Sequence, residues 1–195
     1  MTQKKSSKQK LQRLTTAAVL SALSLVLMVT IRFPIFPAAP FYEMEFADVP
    51  ILICSSILGP WYSLASLLVV CAIQTLTVSS SSGIIGFLMH FLSSGLMILT
   101  IYLIRKLFKD KGNKIQGIIL SSLVGVVAVV LVMIPMNIWL TSAFMNLSLD
   151  AFVKDILKVC VAFNMIKAGC NILLFDILSP QIIKAYKSIT KQEVV

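Results

Sequence analysis

Charge is scarce in this chain: only 13% of its 195 residues are charged, against 58% hydrophobic. So little polar surface cannot coat a water-soluble globule, which places the chain in a bilayer. A spanning helix needs roughly 20 apolar residues, so there is room for about six spans in one bundle and none for a second domain. The motifs of enzyme chemistry are also missing. There is no G-x-x-x-x-G-K-[ST] phosphate loop, no H-E-x-x-H and no G-x-S-x-G, so neither ATP hydrolysis nor a familiar hydrolytic mechanism is expected. Any uptake must draw its energy from elsewhere. One histidine, His90, and four cysteines, Cys54, Cys71, Cys160 and Cys170, show no metal-ligand spacing. The cysteines suit small core positions, and His90 suits a hydrogen-bonded position inside a bundle. No internal repeat is visible, so the inverted-repeat plan of many secondary transporters finds no support.

What charge there is has a strong pattern. Lys and Arg number 17 against 8 Asp and Glu, a net charge of +9, but the bases cluster. Lys4, Lys5, Lys8, Lys10 and Arg13 precede the first apolar run; Arg105, Lys106, Lys109, Lys111 and Lys114 share one interior stretch; Lys184, Lys187 and Lys191 lie near the end. Short basic loops stay cytoplasmic. The expected protein is an all-α multi-pass bundle of about six transmembrane helices in a bacterial-type plasma membrane, with both termini and the Arg105–Lys114 loop inside. Nucleic acid is a poor explanation for bases placed in this way.

Along the chain, residues 1–10 are expected to be a basic cytoplasmic tail, disordered or lying on the surface. Residues 11–187 form the membrane domain with its substrate pocket, and 188–195 a C-terminal tail. The first span, from about Leu11 to Ile31, has the basic flank of a signal peptide, but it is long enough to span and lacks a clear cleavage site. A loop carrying Pro34, Pro37 and Pro40 follows; proline removes backbone donors, so no continuous helix forms there. Its Phe and Ile content favours a lid packed on the bundle. Asp48 is placed as the N-cap of a short second helix that ends at Gly59-Pro60, and Glu43 and Glu45 as solvated loop carboxylates. The third span starts at Trp61 and Tyr62 and runs to about Val78, and Ser79–Gly83 is a tight turn. Later spans are expected near Ile84–Leu107, Ile115–Leu140 and Ala151–Ile183.

Polar groups inside spans are costly and need a partner, a cavity or a ligand. Asn164, Lys167 and Asn171 are spaced by three and then four residues, which puts them on one helix face. Lys167 lies too deep to snorkel comfortably. Its structural alternative is an ion pair with Asp176, Glu45 or Asp48. Asn137 follows Pro135, whose ring is expected to kink the helix and free a carbonyl. Amides donate and accept while an ammonium only donates, so together these groups can read a heterocycle of alternating carbonyls and ring nitrogens. Each Asn can also be interhelical glue, Asn171 more readily than Asn137 or Asn164. Ala18 and Ala22 on the first helix have the small-xxx-small spacing that permits close helix approach, within the chain or to a partner.

The AxxxA-like Ala18 to Ala22, the proline-rich loop before EFADVP (45–50), the LGP break at 58–60, the Asn137 helix and AFNMIKA (162–168) together resemble the S components of energy-coupling factor transporters, riboflavin-type branch. The likeness covers most of the chain. It implies a substrate-binding membrane subunit that takes up riboflavin as transported ligand and needs no cofactor of its own. It assigns flavin contacts to Asn137, Asn164 and Lys167, with His90 and Asn171 nearby, and a lid role to the first loop. It further implies a membrane-embedded coupling protein, met by the Ala18/Ala22 face, and two cytosolic ATPases. Two departures stand out: Ala162 replaces a usual proline, and His90 replaces a common Asn, which bears on what the pocket accepts. Sister subunits share the architecture, so a pyridoxine-like or hydroxymethylpyrimidine-like ligand is the alternative. A structural membrane protein without a cavity is another.

Overall fold

The basic N-terminal stretch partly belongs to the first helix rather than preceding it. In the computed structural model, which describes residues 7–37, 39–80, 82–109 and 113–190, helix α1 spans Ser7–Thr30. Lys, Gln and Leu are good helix formers, so the expected Leu11 boundary falls inside it. The expected tails at 1–6 and 191–195 lie outside the described residues.

The proline-rich loop folds into an element that the all-α expectation left out. Strands β1 (Arg32–Pro34) and β2 (Glu43–Glu45) pair antiparallel, with Arg32 opposite Glu45 and Pro34 opposite Glu43. Three-residue strands carry too little alternation to show in a sequence.

Helix α2 (Asp48–Leu58) follows, and α3 (Pro60–Leu76) starts where Gly59-Pro60 was expected to break the chain. Gly59 adopts φ 95°, a conformation that glycine takes without strain, and Pro60 opens the new helix. The N-cap position of α2 is Ala47, with no side-chain cap, so Asp48 is not the N-cap; its carboxylate turns into the bundle instead. Apart from Ser56, every residue of α2 is buried. It is apolar on all sides because helices surround it: it packs against α1, α3, α4 and α8.

Helix α4 (Gly83–Lys109) begins after a turn in which Ser79 accepts hydrogen bonds from the Ser82 and Gly83 amides. Helix α5 (Lys114–Met136) contains Pro135, and instead of a simple kink the chain passes into a π turn at Asn137–Thr141 and then α6 (Ser142–Met145). One wider turn absorbs the donor that proline lacks. The outer segment is helical too. Helix α7 (Leu149–Asp155) is capped by Ser148, whose hydroxyl accepts from the Ala151 amide at 3.3 Å. The last helix, α8, runs Leu157–Thr190, so the expected single span from Ala151 to Ile183 is split at Ile156 and extends further at its end.

Four segments are long and apolar enough to cross a membrane: α1, α4, the stretch Lys114–Met145, and α8; α2 and α3 are shorter apolar helices. Helix α5 lies between α4 and α8, and α1 packs on α2 and α3. Ile51, Leu52, Ile53, Val70, Ile98 and Phe175 are among the side chains filling the interior. A smaller cluster, with Tyr42, Phe152 and Phe163 at its centre, packs the first loop onto α7 and α8. Cys54, Cys71 and Cys160 are buried and Cys170 half-buried, all as free thiols.

Candidate substrate pocket

The three-then-four spacing on α8 points Lys167 and Asn171 at strand β2. Lys167 Nζ donates to Glu45 Oε1 at 2.8 Å, and Asn171 Nδ2 donates to the Glu45 carbonyl at 3.0 Å. The last helix therefore holds the loop by both a side chain and a backbone group. Glu45 and Asp48 are each only 3% exposed, which corrects the expected placement of Glu45 as a solvated loop carboxylate. His90, on α4, lies between them. Its Nε2 is 3.2 Å from Asp48 Oδ1, its Nδ1 contacts Gln74 Oε1, and the same nitrogen is 3.7 Å from Glu45 Oε1.

The network continues outward. Gln74 Nε2 donates to Ser79 Oγ at 3.3 Å, and Arg32 donates to Ser79 Oγ at 2.9 Å, to the Val78 carbonyl at 2.8 Å and to Glu43 Oε2 at 2.6 Å. Arg32 thereby ties β1 to β2 and both to the turn between α3 and α4. Buried charges persist only when paired in this way.

Asn137, Asn164, Lys167 and His90 all line one cavity of about 140 Å³, together with Tyr42, Glu45 and Phe163. The π turn aims Asn137 inward: its Oδ1 accepts from Tyr42 Oη at 2.6 Å and from Thr141 Oγ1 at 2.9 Å, while its Nδ2 donates to the Met133 carbonyl at 2.7 Å. Burial pushes the Tyr42 phenol well above its ordinary pKa, so it stays a donor. Its ring stacks on Phe163 with centroids 4.7 Å apart and planes 23° apart. Asn164 Nδ2 donates to the Cys160 carbonyl at 2.9 Å.

Glu45 Oε2 and Asn171 Oδ1 are among the buried atoms that lack a hydrogen-bond partner in the described residues. An unpaired buried polar atom costs about 1–3 kcal/mol, more if charged. Glu45 lines the cavity, so a ligand N–H can satisfy its free oxygen. Asn171 lies outside the lining, and its geometry is that of a clamp on the loop. Sequence reasoning named Glu45 and Asp48 only as possible ion-pair partners of Lys167, of which Glu45 is the one bonded to it, and missed Gln74, Tyr42 and Phe163. Only Glu45 and Asp48 left a signal, as carboxylates three residues apart beside an apolar helix.

Ala18 and Ala22 do not line this cavity and are exposed, on the face of α1 that also exposes Leu11, Leu14, Val19 and Val26. Packing within the bundle does not use that face.

A polar pocket roofed by a short hairpin and set in an apolar bundle is common to many transport proteins, so the sequence comparison decides the family. The family described as ECF transporter, substrate-specific component, matches residues 12–179. This chain belongs to that family. Curated relatives of the S component include the riboflavin transporter FmnP of Bacillus subtilis, 30% identical over 87% of this chain and 90% of its own, and the riboflavin transporter RibU of Streptococcus thermophilus, 27% identical over 91% and 84%. Among solved structures, the S component of a bacterial ECF transporter superposes with a TM-score of 0.73 at 25% identity, covering 91% of this chain and 99% of that one.

Proposed function

We propose that this S component captures riboflavin and delivers it to an energy-coupling factor importer in the bacterial plasma membrane. The observation that carries the reading is the cavity's ring of complementary groups: the Lys167 ammonium, the Asn137 and Asn164 amides and the unpartnered Glu45 Oε2, beside the Phe163 ring. The flavin ring system is flat, with an imide N–H between two carbonyls. Carbonyls suit the ammonium and amide donors, the N–H suits Glu45, and the ring face suits Phe163. At about 140 Å³ the cavity is smaller than the roughly 300–1,000 Å³ of typical ligand sites, so the loop and Tyr42 must draw back to admit the ligand. The four long helices with α2 and α3 make six crossings, which leaves both termini and the basic 105–114 loop cytoplasmic. The exposed Ala18/Ala22 face meets a coupling protein, and two cytosolic ATPases supply the energy that this chain has no motif to supply. As a component of a transporter it is not an enzyme.

The test is riboflavin binding to the purified wild-type protein and to the Asn164→Ala and Lys167→Ala variants, followed by flavin fluorescence quenching. The expected result is tight binding by the wild type and about a tenfold to hundredfold loss in each variant. No binding by the wild type, or unchanged affinity in both variants, overturns the reading; binding of a pyridoxine-like compound instead would reassign the substrate.

A further inference from the structure

At the other end of the bundle from the pocket, where α4 ends and α5 begins, lies a larger cavity of about 590 Å³. Leu52, Ile101, Ile118 and Ile183 give it apolar walls, while Arg105, Lys106, Lys114 and Lys187 also line it. No carboxylate among the described residues does. Arg105 is already committed, to Asp176 and to Ser121 Oγ at 3.0 Å, and its guanidinium sits 4.5 Å from the Phe175 ring centroid. The three lysines are exposed, and no carboxylate among the described residues pairs with them. Lys106 rests on the Tyr102 ring, 5.9 Å away. The start of α5, which has no side-chain cap, contributes Lys114, Gly117 and Ile118 to the lining, adding the positive end of a helix dipole.

Apolar walls under a rim of cations that no carboxylate among the described residues pairs with fit an anionic amphiphile. Free phosphate would need the rim but not the walls, and a neutral lipid would need the walls but not the rim. The position at the helix ends is the depth at which phospholipid headgroups lie, and basic pockets between membrane helices at that depth suit them. We propose that this cavity is a binding site for an anionic phospholipid, with an acyl chain against Leu52, Ile101, Ile118 and Ile183 and the phosphate held by Lys106, Lys114 and Lys187. The site is independent of which substrate the outer pocket takes.

The experiment adds dioleoyl phosphatidylglycerol, dioleoyl phosphatidylcholine or inorganic phosphate to the full chain, purified in mild detergent and stripped of lipid. Lipid adducts are counted by native mass spectrometry, and thermal stability is followed in parallel. Phosphatidylglycerol should be retained and raise the melting temperature, with phosphatidylcholine and phosphate each doing markedly less. The triple variant Lys106→Gln, Lys114→Gln, Lys187→Gln should lose about a hundredfold in apparent affinity for phosphatidylglycerol. Ser56→Phe, which fills the cavity from α2 and leaves the rim intact, should also lose it. Equal retention of the two lipids, phosphate matching the effect of phosphatidylglycerol, or wild-type retention by both variants would each overturn the proposal. Melting of the lipid-free variants at the wild-type temperature shows that any loss is not misfolding, and Ser56→Phe decides the question if the triple variant fails to fold.

Discussion

Lys167 and Glu45 are 122 positions apart in the chain, yet their side chains meet at 2.8 Å. This contact fixes the first loop to the last helix and keeps an ammonium inside an apolar bundle. Removing one partner of a buried pair strands the other and costs about 3–5 kcal/mol. Glu45→Gln and Lys167→Met should therefore each lower the melting temperature of ligand-free protein substantially, and the double variant should recover part of the loss. A double variant no more stable than the sum of the singles would show that the two side chains are not coupled.

Asn137 and Asn171 separate ligand contact from loop clamping. Asn137 lines the cavity and Asn171 does not, so Asn137→Ala should weaken riboflavin binding about tenfold or more. Asn171→Ala should mainly reduce thermal stability, because it removes the bond to the Glu45 carbonyl. Titration alongside melting curves tests both, and a reversed ranking would exchange their roles.

Tyr42 holds the closed loop through its bond to Asn137 Oδ1 and its stack on Phe163. Tyr42→Phe keeps the stack and removes a bond worth about 1 kcal/mol. If opening limits entry, riboflavin association in stopped flow should speed up by about fivefold. An unchanged association rate would mean that the loop opens by another route.

The α8 face was legible in the sequence because Asn164, Lys167 and Asn171 obey helical spacing, which is local information. Their partners were only half legible: Glu45 stood as one of three possible ion-pair partners of Lys167, without a site role. Glu45 and Asp48 precede an apolar run that contains Pro50 and look like helix-start residues; only the tertiary fold, by placing His90 and Lys167 beside them, turns them inward. The break at Gly59-Pro60 was visible because both residues punctuate the backbone strongly. The π turn after Pro135 was not, since proline signals a disturbance without specifying whether the helix bends, stops or widens. The hairpin pairing Arg32 with Glu45 was hidden for a related reason: its ladder is too short for periodicity to show.

The basic clusters make topology testable. In a background without native cysteines, Ser7→Cys and Lys114→Cys should react with a membrane-impermeant thiol reagent only from the cytosolic side, and Ser80→Cys only from outside. External labelling of either of the first two would overturn the six-crossing arrangement.

The exposed small-residue face of α1 should matter for transport alone. Ala18→Leu and Ala22→Leu should leave riboflavin affinity unchanged and reduce uptake several-fold in cells that supply the coupling protein and ATPases. Equal losses in binding and uptake would place that face in folding instead.

Helix α8 has 34 residues, about 51 Å at 1.5 Å per residue, whereas α1, with 24, reaches about 36 Å. The hydrocarbon layer is about 30 Å thick. A rod of that length must lean or protrude, and the helices packed on it must share the lean. The resting attitude of the whole subunit is therefore tied to the thickness of its host membrane, so lipids with longer tails should stand it more upright and shorter ones lay it further over.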